Sequence, residues 1–143
     1  MKRALIFVFM LVALAGCNGA KSQSEIEVKP LGNYTAVDQS EAEKAKKHII
    51  QMEEVIEVKA VTLEKDLYLA VKVKHFDRLR LKKIRQNGFR RLEKTFPKKT
   101  IHVSTDKKIF MELDKIEKEL RKNSITKKEL EKRLKKLDED MKG

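Results

Sequence analysis

From Ser40 onward the apolar positions recur at two spacings, and each change of spacing marks a new element. Ala42, Ala45, Ile49 and Met52 lie three, four and three residues apart, which is one face of a helix. Ser40-Glu41-Ala42-Glu43 has the S-x-x-E form of a capping box at its start. Two strands follow. Val55–Leu63 (VIEVKAVTL) is β-branched and partly alternating, and Leu67–Lys74 (LYLAVKVK) alternates cleanly. In the second strand Leu67, Leu69, Val71 and Val73 point one way, and Tyr68, Ala70, Lys72 and Lys74 the other. This predicts one buried face and one largely wet one. Glu64-Lys65-Asp66 joins the strands as a hairpin loop without the glycine that the commonest tight turns favour.

The helical period returns over Asp77–Phe96, with Asp77 as N-cap and Pro97 as stop. Leu81, Ile84, Gly88, Leu92 and Phe96 make its inner face, with Leu79 and Phe89 beside it. Gly88 costs about 1 kcal/mol against alanine inside a helix, so it either permits close packing or marks a break after Asn87. Lys99–Asp106 is a third strand, with Ile101 and Val103 inward and His102 outward, running into a helix start at Ser104-Thr105-Asp106. Ile109, Phe110, Leu113, Ile116 and Leu120 carry that helix, and Asn123-Ser124-Ile125 interrupts it. Thr126–Glu129 forms a second capping box ahead of a stripe at Leu130, Leu134, Leu137 and Met141. The stripe fits a short coiled-coil seam or a helix folded back on the domain; two heptads are marginal in isolation, which favours the folded-back helix. The order α-β-β-α-β predicts an α+β fold: a small three-stranded mixed sheet with helices on one face, plus C-terminal helices. The fold-level analogy is to BON domains and ring-building modules of secretion and sporulation machines.

The N-terminus reads differently. Met1-Lys2-Arg3 is basic, Ala4–Ala15 is an uninterrupted apolar run, and the small residues Ala15 and Gly16 precede Cys17. This is the layout of a secretory signal peptide, and the run is shorter than the roughly 20 residues of a membrane-spanning helix. Leu14-Ala15-Gly16-Cys17 resembles a bacterial lipobox. The resemblance implies cleavage between Gly16 and Cys17 and a diacylglyceryl thioether on the cysteine, with fatty-acyl chains such as palmitate. Two acyl chains suffice for stable anchoring where one does not. Cys17 is the only cysteine, so no disulfide is available to the fold. The organisation expected is a signal peptide over 1–16, a lipidated cysteine and tether over 17–39, an α+β domain over 40–122 and a charged amphipathic helix over 123–143.

Charge narrows the candidate chemistry. The formal charge of +12 drops to +10 once Lys2 and Arg3 leave with the signal. Ten basic residues from Arg78 to Lys99 oppose only Asp77 and Glu93, a net of +8. Arg78, Arg80, Lys82, Lys83, Arg85, Arg90, Arg91 and Lys94 are the candidate anionic-surface residues. On an exported chain the polyanions at hand are anionic lipid and wall polymer rather than nucleic acid. No catalytic fingerprint, phosphate loop or dinucleotide motif is present, and His48, His75 and His102 lack partners at metal-ligand spacing. Neither a catalytic residue, a metal nor a cofactor is assigned, and a wall hydrolase lacks its acid/base pair.

The lipobox, "AEKAKKHIIQMEEVIEVKAV", "LYLAVKV" and above all "IHVSTDKKIFMELDKI" resemble the YhcN/YlaJ family of sporulation lipoproteins. There a third strand ends in V-S-T-D, here Val103–Asp106, ahead of a helix with an early phenylalanine, here Phe110. The resemblance covers about Ser40 to Arg121 and the signal. It implies a non-enzymatic lipoprotein of Gram-positive spore formers, on the outer side of the cell membrane or on the forespore membrane, with a role in germination or outgrowth. A homo-oligomer or a spore-protein partner is the further expectation. The glycine-free hairpin, the Lys/Glu-rich C-terminal helix and the strongly basic second helix depart from the family pattern.

Overall fold

The computed structural model describes residues 37–142. The elements are α1 (Ser40–Ile49), β1 (Val55–Leu63), β2 (Asp66–Val73), a 3-10 helix (His75–Arg80), α2 (Leu81–Thr95), β3 (Thr100–Ser104), α3 (Lys107–Arg121) and α4 (Lys127–Lys142). β2 is central, antiparallel to β1 and parallel to β3, so the expected mixed three-stranded sheet forms.

The sheet is covered on both faces, not one. Alternation along β2 separates two cores. Leu67, Leu69 and Val71 join Ala42, Ala45, Ile49, Ile84, Leu92 and Phe96 under α1 and α2. Tyr68 and Ala70, expected on the wet face, join Leu113, Ile116, Leu120, Leu130, Leu134 and Leu137 under α3 and α4. Only Lys72 and Lys74 of that row reach water. The reason is α4: its leucine stripe folds back beside α3, and together they supply enough apolar surface to bury the second face. A fully buried leucine or isoleucine contributes about 1.5–3 kcal/mol, so α4 is better docked than free. In β1 a register shift between Val55 and Glu57 puts Val55 and Val58 in the same core despite their odd spacing.

Local signals act as the residues suggest in three places and differ in three. Asp106 caps α3, its Oδ1 accepting from the N–H groups of Lys108 (2.6 Å) and Ile109 (3.2 Å). Thr126 caps α4, its Oγ1 accepting from the N–H of Glu129 at 3.2 Å. Asn123 adopts φ 50° in the α3–α4 turn, a left-handed conformation asparagine tolerates. At α1, however, Asp38 rather than Ser40 is the capping side chain: its Oδ1 accepts the Ser40 N–H at 2.8 Å, and this bond holds the carboxyl below its ordinary pKa. The hairpin turn is Glu64–Lys65 alone, with Asp66 already paired to Leu63. Glu64 takes φ 53° without being glycine. Such a residue costs about 1–2 kcal/mol, and Lys99 Nζ holds it in place by donating to its carbonyl at 2.6 Å.

The third difference is at Gly88. α2 runs unbroken through it, and a Cβ built there lies 3.6 Å from Val103 Cγ1 and 3.8 Å from Ile49 Cδ1, ordinary contact distances. There is room for a methyl group. Gly88→Ala is therefore expected to raise stability by about 1 kcal/mol through helix propensity, read as a higher urea midpoint at unchanged slope; a loss would show that the helix needs the closer approach.

The two layers are joined at the outer edge of β1. Glu117, on α3, is buried and reaches past that edge; its Oε1 accepts from the Ala60 N–H (2.9 Å) and from Lys46 Nζ of α1 (3.2 Å). Lys46 is equally buried and also pairs with Glu43 at 2.8 Å, while Arg121 meets Glu117 Oε2 at 3.1 Å. Two residues along, Gln39 pairs with Thr62 as a strand would, donating to its carbonyl at 2.8 Å and accepting from its N–H at 3.0 Å. Glu117→Ala is expected to cost about 2–4 kcal/mol, because the Ala60 N–H loses its acceptor and buried Lys46 keeps only Glu43 as a partner. Lys46→Met with Glu117→Gln, which keeps an acceptor for Ala60, should recover most of that loss in chemical denaturation.

Candidate anionic-surface site

α2 buries Ile84, Gly88 and Leu92, spaced by four, against the sheet and α1. That geometry forces its other positions outward. Lys82, Lys83, Arg85, Arg90, Arg91 and Lys94 are all exposed on it, and Arg78 and Arg80 are exposed on the 3-10 helix before it. All eight predicted basic residues are exposed, with Arg85 and Arg90 on the β3 side of α2 and Arg91 on the side of the α1–β1 connection.

Their electrostatic state sets them apart. Arg80 pairs with Asp77, whose hydrogen bond and charge raise the guanidinium's pKa. None of the other seven has a carboxylate partner among the described residues. Elsewhere several cations are paired, although Lys128, Lys132, Lys135 and Lys136 of α4 have no ion pair among the described residues. Arg133 bridges Glu112 (2.6 Å) and Glu119 (2.5 Å), Lys108 meets Asp140 (2.9 Å), and Lys118 meets Asp114 (2.6 Å). The net positive charge is thus concentrated on α2 and the turn leading into it. Cys17 and Gly16, the predicted lipidation and cleavage residues, lie outside the described residues.

Beside the basic face, α2, β3 and the end of α4 enclose an open cleft of ≈ 440 Å³ lined by Arg85, Phe89, Arg90, His102, Asp138 and Met141 among others. Phe89, expected in the core, is half exposed on its wall. His102, expected on a solvent-facing side of β3, is held between two carboxylates. Its Nε2 lies 3.0 Å from Asp66 Oδ1 and its Nδ1 3.1 Å from Asp138 Oδ1, and its ring stacks on Tyr68 at 4.4 Å and 11°. Of the two contacts, only that of Nε2 with Asp66 has hydrogen-bond geometry; Asp138 Oδ1 has no hydrogen-bond partner among the described residues. The arrangement sets α4 against the sheet at Asp138. Among the described residues no three histidine, cysteine or acidic side chains group as metal ligands.

The family-model comparison matches Sporulation lipoprotein YhcN/YlaJ over residues 19–142. The chain belongs to that family. The match covers the whole described fold, including α4, so the Lys/Glu-rich helix that departs from the expected tail lies inside this YhcN/YlaJ domain's matched length. Neither the curated proteins nor the solved structures contain a match to the chain. Among the described residues of this YhcN/YlaJ-family protein, no helix is long and apolar enough to cross a membrane.

Burial, with Asp66 and Asp138 nearby, pushes the Tyr68 phenol up to about 12. Raised above its ordinary value of about 10, this group favours the fold while neutral. Its contribution is complete below pH 10 and is lost as pH rises towards 12. Spectrophotometric titration should show Tyr68 ionising near 12, assigned by Tyr68→Phe, and Asp138→Asn should lower that value.

Proposed function

We propose that this sporulation lipoprotein is a membrane-anchored, non-enzymatic interaction module of the spore membrane that affects germination or outgrowth. Cys17, freed by cleavage after Gly16, carries the diacylglyceryl anchor. The basic surface of α2 faces anionic lipid or wall polymer. The observation that carries this reading is the concentration of charge: His75–Thr95 holds eight basic residues against Asp77 and Glu93, a net of +6, whereas α3 carries +1 and α4 +2. A solubilising surface has no need of one sign only, whereas each basic residue near an anionic bilayer gains about 1 kcal/mol. Family membership supports the lipoprotein and sporulation parts; the lipobox supports the anchor.

A second reading, a membrane-associated oligomer, has one observation in its favour. β3 is an edge strand bordered by the open cleft, whereas the β1 edge is closed by Gln39 and Glu117. The leucine stripe of α4 does not serve that reading, since Leu130, Leu134 and Leu137 are spent in the chain's own core. Light scattering on residues 18–143 separates the two.

The leading reading predicts that Cys17→Ala moves the protein from the membrane fraction to the soluble fraction of sporulating cells. It further predicts that residues 18–143 bind vesicles containing phosphatidylglycerol in a salt-sensitive way, and that Lys82→Glu with Lys83→Glu and Arg85→Glu lowers this binding at least about tenfold. Equal binding to neutral and anionic vesicles would overturn the assignment of the basic surface.

A further inference from the structure

The most exposed large apolar side chains of the described residues are neighbours. Phe76 is 92% exposed and Leu79 97%, whereas the next, Met111, is at 50%. Scattered exposed leucines are unremarkable on soluble proteins; two bulky side chains standing together almost wholly in water are not.

The backbone places them there. A 3-10 helix has three residues per turn, so positions three apart lie on the same face. Within His75–Arg80 this makes Phe76 and Leu79 one row and Asp77 and Arg80 another. Asp77 is the residue of the turn that faces the protein: it is buried, donates its N–H to the Lys74 carbonyl at 3.1 Å and holds the exposed Arg80 by an ion pair. With Asp77 fixed inward, the row of Phe76 and Leu79 is left in water. Had the α-helix begun at Asp77, Leu79 would sit beside its buried face; it begins at Leu81 instead.

The surroundings indicate what the pair meets. Arg78 lies within the turn, and Lys82 and Lys83 stand three and four residues beyond Leu79 on the first turn of α2, all exposed and without carboxylate partners among the described residues. The nearby acids, Asp77, Glu53 and Glu54, act on Arg80. Two apolar side chains inside a fringe of unpaired cations match a bilayer surface, apolar acyl chains beneath anionic headgroups.

We propose that Phe76 and Leu79 insert as a wedge into the interfacial layer of an anionic bilayer, with Arg78, Lys82 and Lys83 on its headgroups. This rests on the membrane-facing reading above and deepens it. It orients the domain with the Val73 end of β2 on the membrane. Gln39 lies at the opposite end of the sheet, against Thr62, one sheet length away, roughly 26 Å for eight residues of strand. Residues 18–36 can span at most about 65 Å, so a lipid on Cys17 and the wedge can occupy the same membrane.

The chain contains no tryptophan, so Phe76→Trp in residues 18–143 makes a single reporter. This segment retains every element of both cores. On vesicles of equal parts phosphatidylcholine and phosphatidylglycerol, its emission is expected to shift to the blue and to be quenched by lipids brominated on their acyl chains. Phe76→Ser with Leu79→Ser should lower the partition coefficient at least about tenfold and abolish the binding that survives high salt, with the thermal midpoint unchanged because both side chains are exposed. Salt-sensitive binding with unshifted, unquenched emission would overturn the wedge and leave the basic-surface reading standing. Absence of binding by the parent segment overturns both. A blue shift in buffer alone that grows with protein concentration marks the pair as a self-association face and also overturns the wedge.

Discussion

The fold depends on a buried charge at the edge of one strand. A three-stranded sheet with helices on both faces has two cores separated by a single layer of backbone, and nothing in the hydrophobic effect requires the two helical layers to keep register with each other. Glu117 supplies that register. It reaches from α3 around the outer edge of β1, takes the Ala60 N–H and meets Lys46 of α1, so one carboxylate touches both layers and the sheet between them. A pair removed from water in this way is justified by its hydrogen bonds more than by its charge. Here the carboxylate also satisfies a strand N–H that would otherwise await another chain.

The same edge accounts for the asymmetry of the molecule. β1 is finished with side chains, Glu117 and Gln39, and is closed to further pairing. β3, the other edge, borders an open cleft. α3 and α4 are linked by ion pairs, with Arg133 between Glu112 and Glu119 and Lys108 on Asp140. α2 packs through a narrow stripe of Ile84, Gly88 and Leu92 and leaves its cations with the solvent. The largest share of the net positive charge lies on α2, and the two most exposed large apolar side chains of the described residues lie on the turn that leads into it.

Most elements were legible because their signals are local. The period-two alternation of Leu67–Val73, the cap at Asp106 and the box at Thr126 each act within a few residues, and each appears where the residues place it. The basic surface was legible for a similar reason: a helix with ten basic residues around it cannot turn them all inward. The misread positions are those where local pattern meets a competing contact. Tyr68 and Ala70 look like a wet row until α4 covers them. Leu79 fits a helical stripe until the Asp77–Arg80 pair sets a tighter turn and rotates it into water. His102 looks like a surface residue until Asp138, 36 positions later, arrives beside it.

By itself, the sequence determined the α-β-β-α-β order, the mixed sheet and the concentration of positive charge, because periodicity, caps and composition act at short range. Only the tertiary structure decided which charges are neutralised, which strand edge stays open, and that Phe76 and Leu79 stand exposed among cations. Those outcomes depend on which distant segments meet. Lys46 and Glu117 are 71 residues apart, and neither helix's pattern marks its own charge as the one to be buried.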